Sequence, residues 1–384
     1  MTAPPAAADL AANPGADLGA DIGADIATAL AACPHYLVCG GCTDLAPKAD
    51  ILPAALRRAG FTVPAIDLHT SPLRARRRMH LAMRRTADGV ALGLHRHRSH
   101  DIIDLAECRV LHPALARLLP PLRHALARSD LLRQRGETLV NLTDTGPDIL
   151  FRSDAEPSRA DRARLADVAR AEGIARITHA KGAAMPETLA QLRIPEITFS
   201  GHKLCPPPGA FLQATEAGEA TIRAAVLAGL PARRNRKLTI AELYAGCGTL
   251  TFALAEHGVV DAYEGEASAC AALRAACHAA RLSGRINPSE RDLARQPLAP
   301  AELARHTCLV LDPPETGAAA QIAQIAAATP AQRPARILYV SCGPDSLSRD
   351  AAVLRRAGYA LLAATAIDQF IGTPRVESVC VFTR

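Results

Sequence analysis

Several features that mark other protein classes are scarce or missing in this sequence of 384 residues. Aromatic residues make up 3% of the chain, tryptophan is absent, and no apolar run reaches the roughly 18 residues that a membrane-spanning helix needs. The first 32 residues contain no lysine or arginine, so they match neither a secretory signal nor a transit peptide. Eleven cysteines are too few for a disulfide scaffold at this length, and their clustering favours metal binding and catalysis under reducing conditions. We therefore expect a cytoplasmic protein without a membrane partner.

Composition, length and net charge indicate the number of domains and the kind of partner. Apolar residues make up 49% of the chain, which is enough for sizeable cores, and the length favours two or three domains. A net charge of +6 is compatible with a polyanionic partner but does not require one. Residues 1–32 are rich in alanine and glycine and bury too little to offset the entropy of ordering. We expect a disordered tail here, with a weak amphipathic helix as the alternative.

The second half of the chain alternates between strand-like and helix-like segments. The predicted strands are Leu238–Tyr244, Val259–Glu264, Cys308–Asp312, Ile337–Cys342 and Leu361–Ala366. This alternation of strands and helices favours an α/β fold whose parallel sheet binds ligands at the carboxyl ends of its strands. A proline-rich break at residues 206–209 precedes it. The sequence therefore predicts two domains after the tail, one over residues 33–208 and one over residues 209–384.

The predicted domain over residues 33–208 mixes strands and helices and carries a basic segment. Its predicted elements are the hairpin strands His80–Arg85 and Val90–His97, the strands Leu139–Leu142 and Ile174–His179, and the helix Ser158–Glu172. Residues 74–98 contain eight arginines against the single acid Asp88. Phosphate contact is the functional interpretation of this basic segment, and a solvated charged surface is the alternative.

A nucleotide-binding pattern follows the first strand of the second half, which runs into a Gly-x-Gly turn. Gly246 and Gly248 let the backbone approach a ligand closely. Glu264 ends the next strand, where a carboxylate accepts hydrogen bonds from both hydroxyls of a ribose, and Asp292 is placed to read an adenine amino group. Because Thr251 replaces the third glycine of the dinucleotide fingerprint, the set favours S-adenosylmethionine over NAD. A glycine turn of any α/β protein is the alternative.

Cys342 is the candidate nucleophile. It lies where a buried strand becomes a helix, and Pro344 suits the first position of that helix. A thiol at a helix N-terminus loses its proton more easily than a free thiol does, so the sequence predicts a reactive Cys342. The alternative is an inert buried thiol, which is our interpretation of Cys270, Cys277 and Cys308.

A second group of cysteines has the spacing of a metal site. Cys33, Cys39 and Cys42 are separated by five and by two residues, and Cys108 is the candidate fourth ligand. Four thiolates suit either zinc or an iron–sulfur cluster, and the spacing does not choose between them. Free thiols in a loop are the alternative, but they leave the pair Gly40-Gly41 unexplained.

The chain resembles the RNA uracil-5-methyltransferases over about residues 33–384. The resemblance rests on the order and spacing of Gly209–Gln213, Leu243–Gly248, Asp312–Pro314, Ser341-Cys342, Asp368–Phe370 and Arg375–Glu377. It implies a class I, Rossmann-like, S-adenosylmethionine-dependent methyltransferase domain at residues 209–384. For residues 33–208 it implies a smaller α+β RNA-binding domain with a metal-cluster loop.

The same resemblance implies roles for single residues. It places a [4Fe–4S] cluster on Cys33, Cys39, Cys42 and Cys108. The residues that it implies for the S-adenosylmethionine and uracil pocket, beside the glycine turn, are Gln213, Tyr244, Thr249, Glu264, Asp292 and Asp312. Cys342 becomes the nucleophile and Glu377 the general base. Without the resemblance, Glu377 would be an ordinary surface glutamate before a final edge strand at Val379–Phe382.

The implied reaction is methylation of carbon 5 of a uridine in RNA. Addition of a thiolate to carbon 6 makes carbon 5 nucleophilic, and a base later removes the carbon 5 proton. We expect a monomer that acts on ribosomal RNA rather than transfer RNA, by analogy with cluster-bearing relatives. An RNA cytosine-5-methyltransferase is disfavoured, because Glu315 stands where that class carries a cysteine.

Four positions depart from the family pattern. Gly343 and Thr215 each replace an asparagine, Glu315 replaces an arginine, and Arg375 replaces a histidine. Gly343 and Arg375 flank the predicted chemistry and favour the main alternative, a non-catalytic RNA-binding protein on the same scaffold. The predicted nucleophile and base are both present, which favours an enzyme.

Overall fold

The computed structural model describes residues 18–42, 47–232 and 238–384, with side chains from residue 25 onward. Its helices are α1 (Leu18–Ala31), α2 (Ile51–Arg58), α3 (Pro113–Ala116), α4 (Leu119–Ala127), α5 (Arg159–Glu172), α6 (Glu216–Gly229), α7 (Thr251–Ala255), α8 (Ala267–Ala279), α9 (Pro300–Leu303), α10 (Ala319–Ala327) and α11 (Pro344–Arg356). Its strands are β1 (Leu68–Thr70), β2 (Arg78–Thr86), β3 (Gly89–His95), β4 (Ile102–Asp104), β5 (Arg135–Thr143), β6 (Gly146–Ser153), β7 (Arg176–Lys181), β8 (Glu187–Gln191), β9 (Ile197–Phe199), β10 (His202–Leu204), β11 (Leu238–Leu243), β12 (Gly258–Glu264), β13 (Ile286–Glu290), β14 (Cys308–Leu311), β15 (Arg336–Ser341), β16 (Ala360–Asp368) and β17 (Glu377–Thr383). In these ranges, no helix has both the length and the apolar character required to span a bilayer.

Eight strands form the larger sheet, in the order β1-β16-β17-β15-β14-β11-β12-β13. β11 pairs in parallel with β12 and β14, which in turn pair in parallel with β13 and β15. Side chains of β11 point alternately into two cores, Ile240 into one and Ala241 and Leu243 into the other. Burial on both faces explains the continuous apolar runs of these strands. The predicted α/β fold with a parallel sheet is confirmed.

The last strand of the chain runs inside this sheet. β17 pairs antiparallel with β15 on one side and with β16 on the other. The predicted edge strand at Val379–Phe382 is therefore wrong in position, and its unbroken apolar run reflects neighbours on both sides. Because β17 is antiparallel and Ser378 pairs with Ser341, its first residue, Glu377, lies at the carboxyl end of β15.

Seven strands form the smaller sheet, in the order β4-β3-β2-β5-β6-β7-β8. The predicted hairpin is β2 and β3, and the predicted helix is α5, whose N-terminus is closed by a capping box between Ser158 and Asp161. Helices α4 and α5 pack on this sheet and share its core through Leu122, Leu126 and Leu165.

The division of the chain differs from the predicted boundaries at residues 33–208 and 209–384. Helix α2 packs on α11, and β1 pairs in parallel with β16, so both elements belong to the larger sheet. The hairpin β9–β10 joins the core of the larger sheet through Ile197, Phe199 and Leu204. The smaller sheet is thus an insertion between β1 and β9, because partners that are distant in sequence complete the larger sheet.

Helix α1 covers part of the segment whose composition predicts disorder. Leu30 is fully buried in a cluster with Cys42, Val110 and Ile371. The predicted disorder is wrong for Leu18–Ala31, and the helical alternative is correct, because tertiary contacts supply burial that the segment lacks alone. Residues 1–17 lie outside the described residues.

Candidate active site

A cavity of about 600 Å³ opens at the carboxyl ends of β11, β12, β14 and β15. Parallel strands all end at this edge of the sheet, so segments that are far apart in sequence meet here. Among the lining residues are Gln213, Tyr244, Gly246, Thr249, Glu264, Asp292, Asp312, Cys342 and Glu377. The structure therefore brings the candidate pocket residues and both candidate reacting groups to one cavity, with Gly248 just behind its wall.

The glycine turn after β11 has a sharply bent backbone. Tyr244 has a φ of 64°, which is uncommon for a bulky residue and typical of functional turns. Gly246 has a φ of 55°, and a Cβ on it would meet no atom within 4 Å, so its backbone faces open space. A Cβ on Gly248 would lie 2.6 Å from Leu273 Cδ1. Gly246 thus admits a ligand to the backbone, whereas Gly248 allows the turn to pack on α8.

Glu264 is fixed at the edge of the cavity by two backbone donors. The N–H of Gly246 donates to Oε2 and the N–H of Glu266 donates to Oε1, both at 2.7 Å. Each carboxylate oxygen accepts more than one hydrogen bond, so Glu264 keeps capacity for a ligand diol. Asp292 lies farther along the same wall, with Oδ1 accepting from the N–H of Ala294 at 3.0 Å.

Glu242 also lines this cavity, and sequence reasoning missed it. Its side chain is buried in β11, and burial raises the pKa of its carboxyl to about 8. In the described part of the chain, Oε2 has no hydrogen-bond partner. A buried acceptor without a partner is costly, which makes Glu242 a candidate to receive a ligand donor. The available signal was a single acidic residue within a predominantly apolar predicted strand.

A hydrogen-bonded chain of buried side chains crosses the opposite end of the cavity. Gln369 Nε2 donates to Gln213 Oε1 at 2.7 Å and to Glu377 Oε2 at 3.1 Å. Gln213 Nε2 lies 3.4 Å from Asp312 Oδ2. Two amides therefore join and orient the two carboxyls. Gln369 belongs to a segment that carries the family resemblance, but no sequence pattern indicates this role for it.

The two carboxyls hold protons more tightly than ordinary carboxyls do. Burial raises the pKa of Asp312 and of Glu377, and the charge of Asp312 raises that of Glu377 further. The hydrogen bond from Gln369 acts in the opposite direction but does not offset burial. The resulting pair is suited both to donating a proton to a ligand oxygen and to taking a proton from a ligand carbon.

Cys342 faces the same cavity from the start of α11, with Pro344 at the first position of the helix as predicted. Burial raises the pKa of its thiol to about 12, and the charges of Glu377, Glu315 and Asp312 contribute to that rise. The prediction of a lowered thiol pKa from the helix N-terminus is therefore wrong for this structure. Burial is the largest cause of the rise, and the carboxyls of two segments, Asp312 with Glu315 in one and Glu377 in the other, add to it.

Two of the four departures from the family pattern have local explanations. Gly343 is the N-cap residue of α11, and a Cβ on it would lie 2.6 Å from the carbonyl oxygen of Glu315. Thr215 is the N-cap residue of α6 and accepts a hydrogen bond from the N–H of Gly218 at 2.9 Å. Threonine caps this helix as an asparagine would, and glycine at 343 gives room to the neighbouring loop.

The cysteine loop, which we define as residues 33–42 with Cys108, brings the four candidate ligands together. Cys33, Cys39 and Cys42 are buried and Cys108 is half-buried. Burial raises the pKa of Cys42 to about 12, and the thiols of Cys108, Cys39 and Cys33 raise it further. Backbone passes close to the thiols, since a Cβ on Gly372 would lie 3.1 Å from Cys42 Sγ. The thiols of Cys33, Cys39 and Cys108 therefore lie close enough to Cys42 to affect its ionisation, which places the four candidate ligands in one region of the fold.

The arginines of residues 74–98 do not all face solvent. Arg77 is buried and pairs with Glu219, while Arg85 donates to the backbone carbonyls of Ala127, Ser129 and Leu132. These two arginines make interactions within the protein and are not available to phosphates. The interpretation of the whole segment as a phosphate-binding surface is therefore corrected. Arg78 lies over the ring of Phe211, with 4.6 Å between its guanidinium carbon and the ring centroid.

Three curated proteins are similar to nearly the whole chain. An uncharacterized RNA methyltransferase of Caulobacter vibrioides is 37% identical over 370 residues, which cover 92% of this chain and 86% of the relative. One of Brucella suis is 34% identical over 372 residues, which cover 92% and 84%. The 23S rRNA (uracil(1939)-C(5))-methyltransferase RlmD of Yersinia enterocolitica is 29% identical over 369 residues, which cover 91% and 80%.

A solved structure shares the fold. The tRNA (uracil-54, C5)-methyltransferase of Pyrococcus abyssi, in complex with S-adenosyl-L-homocysteine, superimposes with a TM-score of 0.66 at 18% identity. The superposition covers 90% of this chain and 86% of that one. No protein-family profile matches the chain. Because the Caulobacter and Brucella relatives exceed 30% identity over most of both chains, this protein belongs to the RNA methyltransferases.

Proposed function

We propose that this RNA methyltransferase transfers the methyl group of S-adenosylmethionine to carbon 5 of a uridine, with ribosomal RNA as the favoured substrate. One observation carries the proposal: Cys342 and Glu377 line the same cavity as the glycine turn and Glu264. The reaction needs a thiol, a base and a methyl donor within reach of one ring, and this cavity offers places for all three. The names of the Yersinia relative and of the Pyrococcus structure support a uracil target.

The wall formed by β11 and β12 fits S-adenosylmethionine, which supplies the electrophilic methyl group when bound. Glu264 accepts hydrogen bonds from the ribose hydroxyls, using the lone pairs that its two backbone donors leave free. Asp292 reads the adenine farther along the wall, and the open backbone at Gly246 lets the nucleoside approach. Glu242 offers its unpartnered Oε2 to the ammonium group of the methionine part.

The reaction begins at Cys342. Its sulfur bonds to carbon 6 of the uracil, its proton passes to solvent so that Glu377 stays free to act later as a base, and the π electrons of the C5–C6 bond move towards oxygen 4. Asp312 and Gln213 lie in the same cavity, where a neutral carboxyl and an amide donate hydrogen bonds to the developing negative oxygen. The raised pKa of the Cys342 thiol keeps it protonated until the nucleotide binds.

Glu377 completes the reaction. Carbon 5 takes the methyl group, and Glu377 then removes the carbon 5 proton, so that the C5–C6 double bond re-forms and the C6–S bond breaks. Burial raises the pKa of Glu377 and makes it a stronger base than an ordinary carboxylate. Gln369 holds Oε2 of Glu377 at 3.1 Å and thereby fixes its orientation.

We propose that the cysteine loop holds a [4Fe–4S] cluster with a structural role. Four thiols that interact electrostatically in one region of the fold are a suitable donor set for such a cluster. The uracil chemistry needs no electron transfer, so the cluster would fix the loop rather than react. Anaerobically purified protein should be brown and contain about four irons per chain, whereas one zinc per chain would overturn this assignment.

Tritiated S-adenosylmethionine and RNA from a strain that lacks this protein test the proposed function. We expect label in ribosomal RNA, with 5-methyluridine as the only labelled nucleoside after digestion. Label in transfer RNA would correct the substrate, and 5-methylcytidine would correct the base. If metal-loaded protein binds the RNA but transfers no label to it, the result would instead support the non-catalytic RNA-binding protein.

A further inference from the structure

Two loops face each other across the mouth of the cavity. Glu315, in the loop after β14, and Arg375, in the loop before β17, form an ion pair with Nη1 of the arginine 3.1 Å from Oε2 of the glutamate. Their side chains are 58% and 54% exposed, and both charges act on the Cys342 thiol. The pair therefore spans the entrance of the cavity beside the candidate nucleophile.

The backbone of Glu315 is fixed, whereas its carboxylate is at the surface. Ser346 Oγ, in the first turn of α11, donates to the carbonyl oxygen of Glu315 at 2.7 Å. A Cβ at position 343 would lie 2.6 Å from that oxygen, so the loop rests directly on the start of the helix. Ion pairs between exposed side chains are weak, because water and salt compete with them. Arg375 is thus held in place by a partner that a stronger anion can replace.

Two further arginines, Arg76 and Arg78, lie near Arg375. Arg375 acts electrostatically on Arg76, and Arg76 acts on Arg78. Arg78 in turn stacks on Phe211, a lining residue of the cavity whose side chain is largely exposed. Like charges in a row repel one another in the free protein and attract a chain of phosphates.

We propose that Arg375 binds a phosphate of the RNA backbone next to the target nucleotide, and that Glu315 holds this guanidinium in the free enzyme and yields it to the RNA. The inference rests on the proposed function, since it takes RNA as the ligand of this cavity. A phosphate accepts from a guanidinium through two parallel hydrogen bonds, which gives it an advantage over a single carboxylate contact. Glu315 therefore competes with the substrate.

Competition between Glu315 and RNA gives the two residues opposite effects. We expect Arg375→Gln to weaken RNA binding about tenfold and to reduce the slope of log affinity against log salt by about one. Glu315→Gln frees the guanidinium and should tighten binding several-fold. In the double variant, the effect of Glu315→Gln should disappear, because there is no longer an arginine to release.

Filter binding of ribosomal RNA from a strain that lacks this protein provides the measurement, at several salt concentrations and with intact metal-loaded protein. All variants are made in a Cys342→Ala background, so that changes in thiol ionisation cannot affect the result. Arg57→Gln and Asp50→Asn are matched controls, because they break an exposed arginine–carboxylate pair on α2, with side chains 56% and 90% exposed. We expect the controls to change affinity by less than twofold.

Weaker binding by Glu315→Gln, or an unchanged effect of Glu315→Gln in the double variant, would overturn the inference. So would an Arg375→Gln variant that binds no worse than Arg57→Gln. If the variants show the opposite effects on RNA affinity expected above while the wild-type protein methylates no uridine, the proposed function fails, but the role of Arg375 in phosphate binding stands. If the wild-type protein methylates uridine but Arg375→Gln and Glu315→Gln do not change RNA affinity in opposite directions, only the role of Arg375 fails.

Discussion

The cysteine loop and the active-site cavity contain the same functional group in different surroundings. Burial raises the pKa of Cys42 and of Cys342 to about 12 in each case. The groups that raise it further differ: other thiols act on Cys42, whereas carboxyls act on Cys342. A set of thiols is suited to a metal cluster, and a thiol among carboxyls is suited to addition and proton transfer. The neighbours of a cysteine therefore indicate its chemistry better than its burial does.

Removal of the active-site thiol should have the largest effect. Cys342→Ala should lower methyl transfer by at least roughly 10⁴-fold, because the covalent nucleophile is lost, and leave S-adenosylmethionine binding nearly unchanged. Wild-type protein should also form a covalent adduct with RNA that contains 5-fluorouracil, since fluorine cannot leave as a proton. Turnover with tritiated S-adenosylmethionine and gel analysis of the adduct are the measurements.

Cys247 provides the matched control for this variant. It lines the same cavity, and burial raises the pKa of its thiol to about 12 as well, but the carboxyls that act on it are Glu264 and Glu266 of the proposed cofactor wall rather than Asp312 and Glu377. We expect Cys247→Ala to keep activity within a few-fold of wild type and to form the adduct. An active Cys342→Ala variant, or an adduct that depends on Cys247, would end the assignment of Cys342.

Glu377 should come next in the size of its effect. Glu377→Gln keeps the shape of the side chain but cannot take the carbon 5 proton, so turnover should fall roughly 10²- to 10⁴-fold. Attack by Cys342 and methyl transfer should still occur. The methylated protein–RNA adduct should therefore accumulate, and mass spectrometry of the digested complex would detect it. Turnover at the wild-type rate without a trapped adduct would show that another group is the base.

The cysteine loop should affect stability more than chemistry. Cys42→Ser removes one of the four donors, so the iron content should fall well below that of the wild type, and the melting temperature should fall by at least roughly 5 °C. We expect the KM for RNA to rise, while kcat changes by less than tenfold. Cys277→Ser is the control, because Cys277 is a buried thiol of α8 that lies outside the loop. A metal content unchanged by Cys42→Ser would remove the contrast between the two regions.

Local patterns explain the part of the fold that was predictable from sequence. The alternation of apolar strands with helices predicted the parallel strands, and Gly246 marked the turn after β11. β13 was missed because Pro288 and its polar neighbours do not look like a strand. It pairs only with β12 among the described strands, at the edge of the sheet, where proline is tolerated. The membership of β1 in the larger sheet depends on a partner about 300 residues away, so no local pattern shows it.

The electrostatics of the site were not predictable in the same way. The helix N-terminus at Cys342 is a local feature and was correctly located. Burial raises the pKa of the thiol, and carboxyls from two segments that are far apart in sequence, Asp312 with Glu315 in one and Glu377 in the other, raise it further. A pKa is determined by three-dimensional neighbours, so a motif identifies the nucleophile without determining its ionisation.

The smallest expected effect is a change in how the stability of the protein depends on pH, and it follows from the raised pKa of Glu377. Burial raises the pKa of Glu377 above its ordinary value of 4.5. Below pH 4.5 the carboxyl is protonated in the folded and unfolded states alike. As the pH rises, the unfolded state releases the proton first, so the stability contributed by the protonated form is lost as the pH rises through the raised pKa. Each unit of difference in pKa corresponds to about 1.4 kcal/mol.

Glu377→Gln should remove this loss, so its melting temperature should fall less than that of the wild type between pH 5 and pH 8. Glu302 is a control of opposite sign, because its hydrogen bonds with Arg291 lower its pKa to about 2. The stability that Glu302 contributes is present above pH 4.5 and is lost only as the pH falls through about 2. Glu302→Gln should therefore lower the melting temperature by a similar amount at pH 5 and at pH 8. If Glu377→Gln also gave a curve parallel to that of the wild type, the pKa of Glu377 would not be raised in the folded protein, and its assignment as a base stronger than an ordinary carboxylate would lose its support.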